Sequence, residues 1–263
     1  MKFSTELPSR MRPYETHKSL EMALFGIPQL KKLSKAVAID SIEPVIDAIG
    51  EVLTQFDGHD LTDGDFNYLL AYQRMEGYKS APLVFGFTCE GIMYRESGGL
   101  GRLLKKSQIM SLVETYDAAT PEEKTEIQDP NKLFMFTETC GEVNTFDLGI
   151  DDIKVFPLTE DPLHELLDYP RLRTLADAII AKRDPERRNI VDAVRWIKDG
   201  YTLSDKFEVL EESDDPITLL QEALKANLTH AHGLQRHVVK SCVKCEALRS
   251  GVMEVDAVMF FRV

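Results

Sequence analysis

Tryptophan and cysteine are scarce in this chain of 263 residues, one and four respectively, and no apolar run approaches the ~20 residues a helix needs to cross a bilayer. A membrane-spanning helix is therefore not expected. The opening Met1-Lys2-Phe3-Ser4-Thr5-Glu6 turns polar at once and lacks the apolar core of a signal peptide, so synthesis and residence in the cytoplasm are expected. Positive charge is short as well. The 31 Lys and Arg face 44 Asp and Glu, and the net charge of −13 argues against binding to DNA, RNA or an anionic membrane. The densest basic pairs, Lys31-Lys32, Lys105-Lys106 and Arg187-Arg188, are isolated and read as solvated helix faces. An acidic surface favours basic or neutral protein partners. Four cysteines in a cytosolic chain should be reduced, so metal binding or plain burial outranks disulfides, and a chain this long buries enough apolar surface to fold without them.

Catalytic signatures are missing too. Gly98-Gly99-Leu100-Gly101-Arg102 has neither the terminal Lys-Ser/Thr of a phosphate loop nor the strand–GxGxxG–helix context of a dinucleotide loop, and reads as the tip of an insertion. No Gly-x-Ser-x-Gly elbow or His-Glu-x-x-His helix occurs. The expectation is a protein without catalytic residues.

What is present is mostly helical pattern. After an extended, turn-rich start with a short strand within 19–25, Ser41 is placed to cap a helix whose stripe is Val45, Ile46, Ile49, Val52, Leu53 and Phe56, stopped at Gly58. Thr62-Asp63-Gly64-Asp65 is a capping-box variant opening a second helix through Phe66, Leu69 and Leu70 to Gly77. Leu83 to Cys89 is strand-like, 95–130 reads as an insertion with a short helix at 103–116, and 134–136 with 143–148 reads as a hairpin followed by a strand at 153–158. Helical stripes return with Leu172, Leu175, Ile179 and Ile180. Asp184-Pro185 and Asp215-Pro216 are cap-plus-proline starts for two further helices, one carrying Ile190 and Val194. The chain ends in strand character around Cys242-Val243-Lys244-Cys245 and through 252–263. The expected fold is α+β, mostly helical with two cysteine-bearing β-hairpin regions, divided into 1–158 and 159–263. Each half runs helices, strand, cysteine turn, return strand, a plan that an internal duplication or two independent hairpins would both produce.

Cys242-x-x-Cys245 is the sharpest chemical feature, since two thiolates at this spacing occupy two corners of a tetrahedral zinc site. The other two ligands have to come from elsewhere: His230, His232 and His237 are nearest in sequence, and Cys89 and Cys140 are the remaining thiols. With only one half of a CxxC…CxxC pattern, the expectation is no cofactor and free thiols, with zinc at Cys242 and Cys245 as the alternative. His230-Ala231-His232-Gly233 follows a helix and precedes a glycine, which suits capping and packing better than catalysis.

Several segments taken in order carry a family resemblance: Leu7-Pro8-Ser9-Arg10 and Pro13-Tyr14, Leu61 through Leu70 leading to Arg74, Thr139-Cys140-Gly141 with Phe146-Asp147-Leu148, His232-Gly233, Cys242-Val243-Lys244-Cys245, and Phe260-Phe261-Arg262. Together they resemble the baseplate hub proteins of contractile-tailed phages of the T-even type. That pattern favours paired cysteines at both hairpins, whereas Cys89 and Cys140 are single here. The resemblance implies a non-enzymatic structural or assembly component of the hub. Its partners would be other baseplate hub and tail proteins, with no nucleic acid and no membrane insertion, and its place the virion tail baseplate after assembly in the host cytoplasm. A zinc-ribbon-type protein-binding module and a small cytosolic metal-dependent enzyme are the alternatives. If 252–263 is a strand, the adjacent Phe260 and Phe261 face opposite sides of it, so either an internal core covers both faces or a partner protein covers the second, which makes them candidate partner-binding residues.

Overall fold

Proline and glycine place the first helices. The computed structural model describes residues 2–3, 7–14, 20–54, 57–79, 81–96, 103–104, 106–126, 134–152, 154–253 and 255–260. Helix α1 (Ile27–Ile39) carries Pro28 in its first turn, where a missing N–H leaves no bond unmade, and ends where Asp40 turns left-handed at φ 50°. Helix α2 (Glu43–Val52) buries Val45, Ile46, Ile49 and Val52, as its stripe predicts. It starts after Ile42 rather than Ser41, whose hydroxyl only accepts the Glu43 N–H. The helix stops at Val52 because the chain turns extended as β3 (Leu53–Thr54), pairing with β2 (Leu20–Met22), which pairs in turn with β1 (Lys2–Phe3). Gly58 is therefore not the helix stop. It begins a 3-10 turn pressed on α2, where a Cβ would lie 2.8 Å from the Ile46 carbonyl and 2.9 Å from Gly50 Cα. Phe56 lies outside the described residues.

Helix α3 (Asp63–Gly77) begins as its cap predicts, with Thr62 Oγ1 accepting the Asp65 N–H at 3.3 Å. Asp65 does not reach back to complete the box. Its fully buried carboxylate instead accepts the Ser9 N–H at 2.9 Å and the Tyr14 hydroxyl at 2.6 Å, and that hydroxyl accepts the Thr62 N–H at 3.0 Å. Burial and the Asp65 carboxylate both push the Tyr14 pKa well above its ordinary value, so the phenol stays a donor. His232 Nδ1 lies 3.1 Å from the His230 carbonyl, which can only accept, so Nε2 is left to accept the Thr62 hydroxyl at 2.9 Å. Gly64 and Gly233 meet backbone to backbone: a Cβ on Gly64 would sit 2.3 Å from the His232 carbonyl oxygen, and Gly233 has φ +142°.

Four of the later helices share one core. β9 (Lys154–Phe156) pairs antiparallel with β10 (Gly233–Gln235). Helices α6 (Leu175–Ala181), α7 (Val191–Val194), α8 (Leu203–Glu212) and α9 (Pro216–Thr229) pack around Val191, Val194, Trp196, Ile197, Phe207, Leu219 and Ala223. Asp215 caps α9 as expected, accepting the Thr218 N–H at 3.0 Å. Asp184-Pro185 yields only turns before the four-residue α7. Ile179, expected in the core, is 43% exposed, because the short α6 turns only Ala178 fully inward; Leu175 and Ile190 are half-buried. Phe260 does not lie on a strand. It closes a 3-10 turn (Ala257–Phe260), is buried, and packs against Phe25 at 5.5 Å and Tyr78 at 5.8 Å between ring centroids, so its ring is core rather than free contact surface. Phe261 lies outside the described residues.

The chain is α+β and mostly helical, but it does not divide at 158. One compact unit is Met1–Leu83, Gly149–Arg236 and Glu254–Val263; the other is Val84–Leu148 with His237–Met253. The smaller unit thus draws its strands from both halves of the sequence. It holds β4 (Leu83–Thr88), β5 (Ile92–Glu96), β6 (Leu103–Leu104), α4 (Lys106–Ala118), α5 (Glu123–Glu126), β7 (Phe134–Thr139), β8 (Val143–Leu148), β11 (His237–Ser241) and β12 (Leu248–Val252). The Gly98–Arg102 tip lies outside the described residues. Among the described residues, no helix is long and apolar enough to cross a membrane.

Candidate metal centre

Two bends and one hairpin loop build the centre. The strands on either side of Cys140 do not pair with each other as a hairpin. β8 pairs with β4, and β7 pairs with β5, which β6 joins on its other edge. Each arm of the bend at Cys89 is therefore partnered by an arm of the bend at Cys140, and the two bends are held together. Cys89 N–H donates to the Glu142 carbonyl at 2.8 Å, Gly141 N–H to the Cys89 carbonyl at 3.0 Å, and Cys140 N–H to the Gly91 carbonyl at 2.7 Å. Gly141 takes φ +64°, and Gly91 is required by space: a Cβ there would lie 2.7 Å from Cys245 Sγ and 3.1 Å from Cys89 Sγ.

β11 and β12 form the expected antiparallel hairpin, Ser241 opposite Leu248, with Cys242 to Ala247 as its loop. Cys242 N–H donates to the Ala247 carbonyl and Glu246 N–H to the Cys242 carbonyl, both at 2.9 Å, which folds the loop so that both thiols face inward. The four sulfurs of Cys89, Cys140, Cys242 and Cys245 lie within 4.8 Å of one another, Cys89 to Cys245 at 3.3 Å and Cys140 to Cys242 at 3.8 Å. Tetrahedral zinc with bonds of about 2.3 Å places its sulfurs about 3.8 Å apart, so these positions fit such an ion without rearrangement of the backbone. All four residues are buried.

Donors aimed at the sulfurs complete the arrangement. Lys244 N–H points at Cys242 Sγ at 3.4 Å and Gly91 N–H at Cys89 Sγ at 3.3 Å. Asn144 is buried and bridges the two chain segments: its Nδ2 donates to Cys242 Sγ at 3.4 Å and its Oδ1 accepts the Val243 N–H at 3.0 Å. Burial pushes the Cys242 thiol up, but the Cys245 and Lys244 amides, Asn144 and Cys89 outweigh it and hold the group down to about 6. Burial pushes Cys245 up to about 12, and its thiol neighbours add to the effect. Burial also raises Cys140. Four clustered sulfurs receiving N–H bonds form an environment for thiolates around a cation, and an all-sulfur set selects soft ions such as zinc or iron over magnesium or calcium. At the rim, Lys244 pairs with Glu142 at 3.7 Å and Arg249 with Glu90 at 3.4 Å.

Cys242 and Cys245 thus occupy the positions their spacing suggests, and the missing ligands are the two single cysteines. His230 and His232 belong to the larger unit, and His237 is exposed at the start of β11. The sequence leads to an expectation of free thiols; the four cysteines form no disulfide, and their sulfurs face one another in an arrangement that could hold a metal ion. The readable signal was a cysteine followed closely by glycine between two strand-like runs, at Cys89-Glu90-Gly91 and again at Cys140-Gly141. Compared with protein-family models, with curated proteins and with solved structures, the chain finds no match.

Proposed function

We propose that this chain is a non-enzymatic structural or assembly component that works through protein–protein contacts, with its smaller unit clamped by one structural zinc ion. The closure of the four-cysteine centre carries this reading. A catalytic zinc keeps a coordination position open for water or substrate, whereas here four protein sulfurs are available and all are buried. Bound there, zinc supplies metal–thiolate bonds that join the bends at Cys89 and Cys140 to the Cys242–Cys245 loop. The chain's own residues do the rest: Asn144 orients Cys242, Gly91 leaves room for the sulfurs, and the crossed strand pairs fix the bends.

The setting we assign is the baseplate hub of a contractile phage tail, on the strength of the motif resemblance. Among the residues that carry it, Ser9, Tyr14, Thr62, Asp65 and His232 belong to one buried hydrogen-bond network. The test is quantitative mass spectrometry of purified tails and of hub intermediates from infected cells. The chain should be present in one of them; absence from both, with stable partners outside the tail, would replace the hub by the zinc-ribbon binding module. A reproducible turnover abolished by one substitution that leaves folding intact would overturn the non-enzymatic reading.

A further inference from the structure

The four sulfurs of the metal centre make their close contacts across the fold. Cys89 Sγ lies 3.3 Å from Cys245 Sγ, and Cys140 Sγ lies 3.8 Å from Cys242 Sγ. Each contact joins a strand bend to the β11–β12 loop, between residues 156 and 102 positions apart in the chain. A disulfide bond is about 2.05 Å long, so each pair has only about 1–2 Å to close. Four thiolates held this near one another are an oxidisable group as well as a metal-binding one. Cys140 is 7% exposed, against 0%, 1% and 2% for Cys89, Cys242 and Cys245, which makes it the point where a small oxidant first arrives.

Which sulfurs pair decides what oxidation does to the fold. A Cys242–Cys245 bond would link two residues of one tight loop that the hairpin bonds already close, and would leave that loop unattached to the two bends. The crossed pairs close loops of 156 and 102 residues, where a covalent link constrains the unfolded chain most. They also fasten the same segments that a tetrahedral ion would fasten. Asn144 Oδ1, accepting the Val243 N–H at 3.0 Å, holds the loop against β8 whether or not a metal is bound.

We infer that the centre is a redox-convertible clamp: a peroxide turns the zinc-bound form into a metal-free form carrying Cys140–Cys242 and Cys89–Cys245 disulfides, with the smaller unit still folded. This rests on the zinc reading of the proposed function. In each pair one thiolate takes an oxygen from the peroxide, becoming a sulfenic acid and releasing hydroxide; the second thiolate attacks that sulfur, forms the S–S bond and expels another hydroxide. Two peroxides thus convert four thiolates into two disulfides and four hydroxides, and the ion, left without thiolate ligands, leaves. A component assembled in reducing cytoplasm and then carried into oxidising surroundings would keep its fold by this exchange. The test treats the zinc-loaded full chain with hydrogen peroxide, measures zinc release with a chromogenic chelator, and maps disulfides by mass spectrometry of unreduced peptides. One zinc should be released per two peroxides consumed, the map should show Cys140–Cys242 and Cys89–Cys245, and hydrogen exchange of 84–96 and 237–253 should stay slow in chelator until a thiol reductant is added. Zinc-loaded protein that gives a Cys242–Cys245 bond, sulfinic acids without disulfides, or loss of exchange protection on oxidation would overturn the exchange alone. Protein with no thiolate-bound metal before oxidation would overturn the zinc reading, and the exchange with it.

Discussion

Stripping the metal from the four-cysteine centre should unfold the smaller unit and leave the larger one folded. The buried cluster at the centre consists of Cys89, Cys140, Cys242, Cys245 and Met93, with Phe87 and Ala247 packed against it. Among the described residues, four of these five are cysteines, so the place where a domain normally keeps its hydrocarbon is occupied by sulfur. A structural zinc contributes about 10–16 kcal/mol in small zinc-dependent folds. That is of the same size as the ~5–15 kcal/mol net stability of a whole domain. The larger unit has its own core around Val191, Val194, Trp196 and Ile197 and has no such dependence. Hydrogen exchange read by mass spectrometry, with and without a strong chelator, separates the two. Peptides from 84–96, 134–148 and 237–253 should lose protection on chelation and regain it on adding zinc, while those from α3 and α9 keep theirs. Elemental analysis should find one zinc per chain. Protein lacking any thiolate-bound metal, with identical exchange in chelator and in zinc, would refute the reasoning.

Four smaller perturbations test other parts of the account. Gly91→Ala places a methyl group 2.7 Å from Cys245 Sγ and should cost about 1–3 kcal/mol and lower metal occupancy, read by thermal denaturation and elemental analysis. Asn144→Ala deletes the bonds to Val243 N–H and Cys242 Sγ and should weaken zinc affinity by about 10–100-fold in a competition titration. Asp65→Ala leaves the Ser9 amide and the Tyr14 hydroxyl without their acceptor and should destabilise the larger unit by about 3 kcal/mol in urea melts. Lys206 is buried against the Ile197 carbonyl, and loss of solvation lowers its pKa from 10.5 to about 8. Below pH 8 both folded and unfolded states carry the charge; between about 8 and 10.5 only the unfolded state binds the proton, so stability rises with pH across that window. Lys206→Met should remove this rise and stabilise the protein at pH 7 by about 1–3 kcal/mol.

Local chemistry was legible wherever the controlling atoms lie within a few residues. Thr62 with Asp65, and Asp215 before Pro216, set helix starts that need nothing beyond the adjacent turn, and the stripe of Val45, Ile46 and Ile49 faces inward as its period requires. The Cys242–Cys245 loop is local in the same way, because the hairpin hydrogen bonds between β11 and β12 place both thiols. Gly58 does not stop α2 because a strand pairing with β2 ends the helix early, and that pairing partner lies about thirty residues upstream, whereas Ser41 misses the cap position by a single residue. Ile179 was misread because periodicity names a face without saying whether a neighbour covers it. Tertiary structure alone decided the metal centre. Cys89 and Cys140 carry no paired cysteine to announce a ligand set. They come within reach of Cys242 and Cys245 only because β4 chooses β8 and β5 chooses β7, a choice made by pairing between distant segments. The same long-range pairing brings residues from both halves into one unit, so a division drawn along the sequence could not match one made in space.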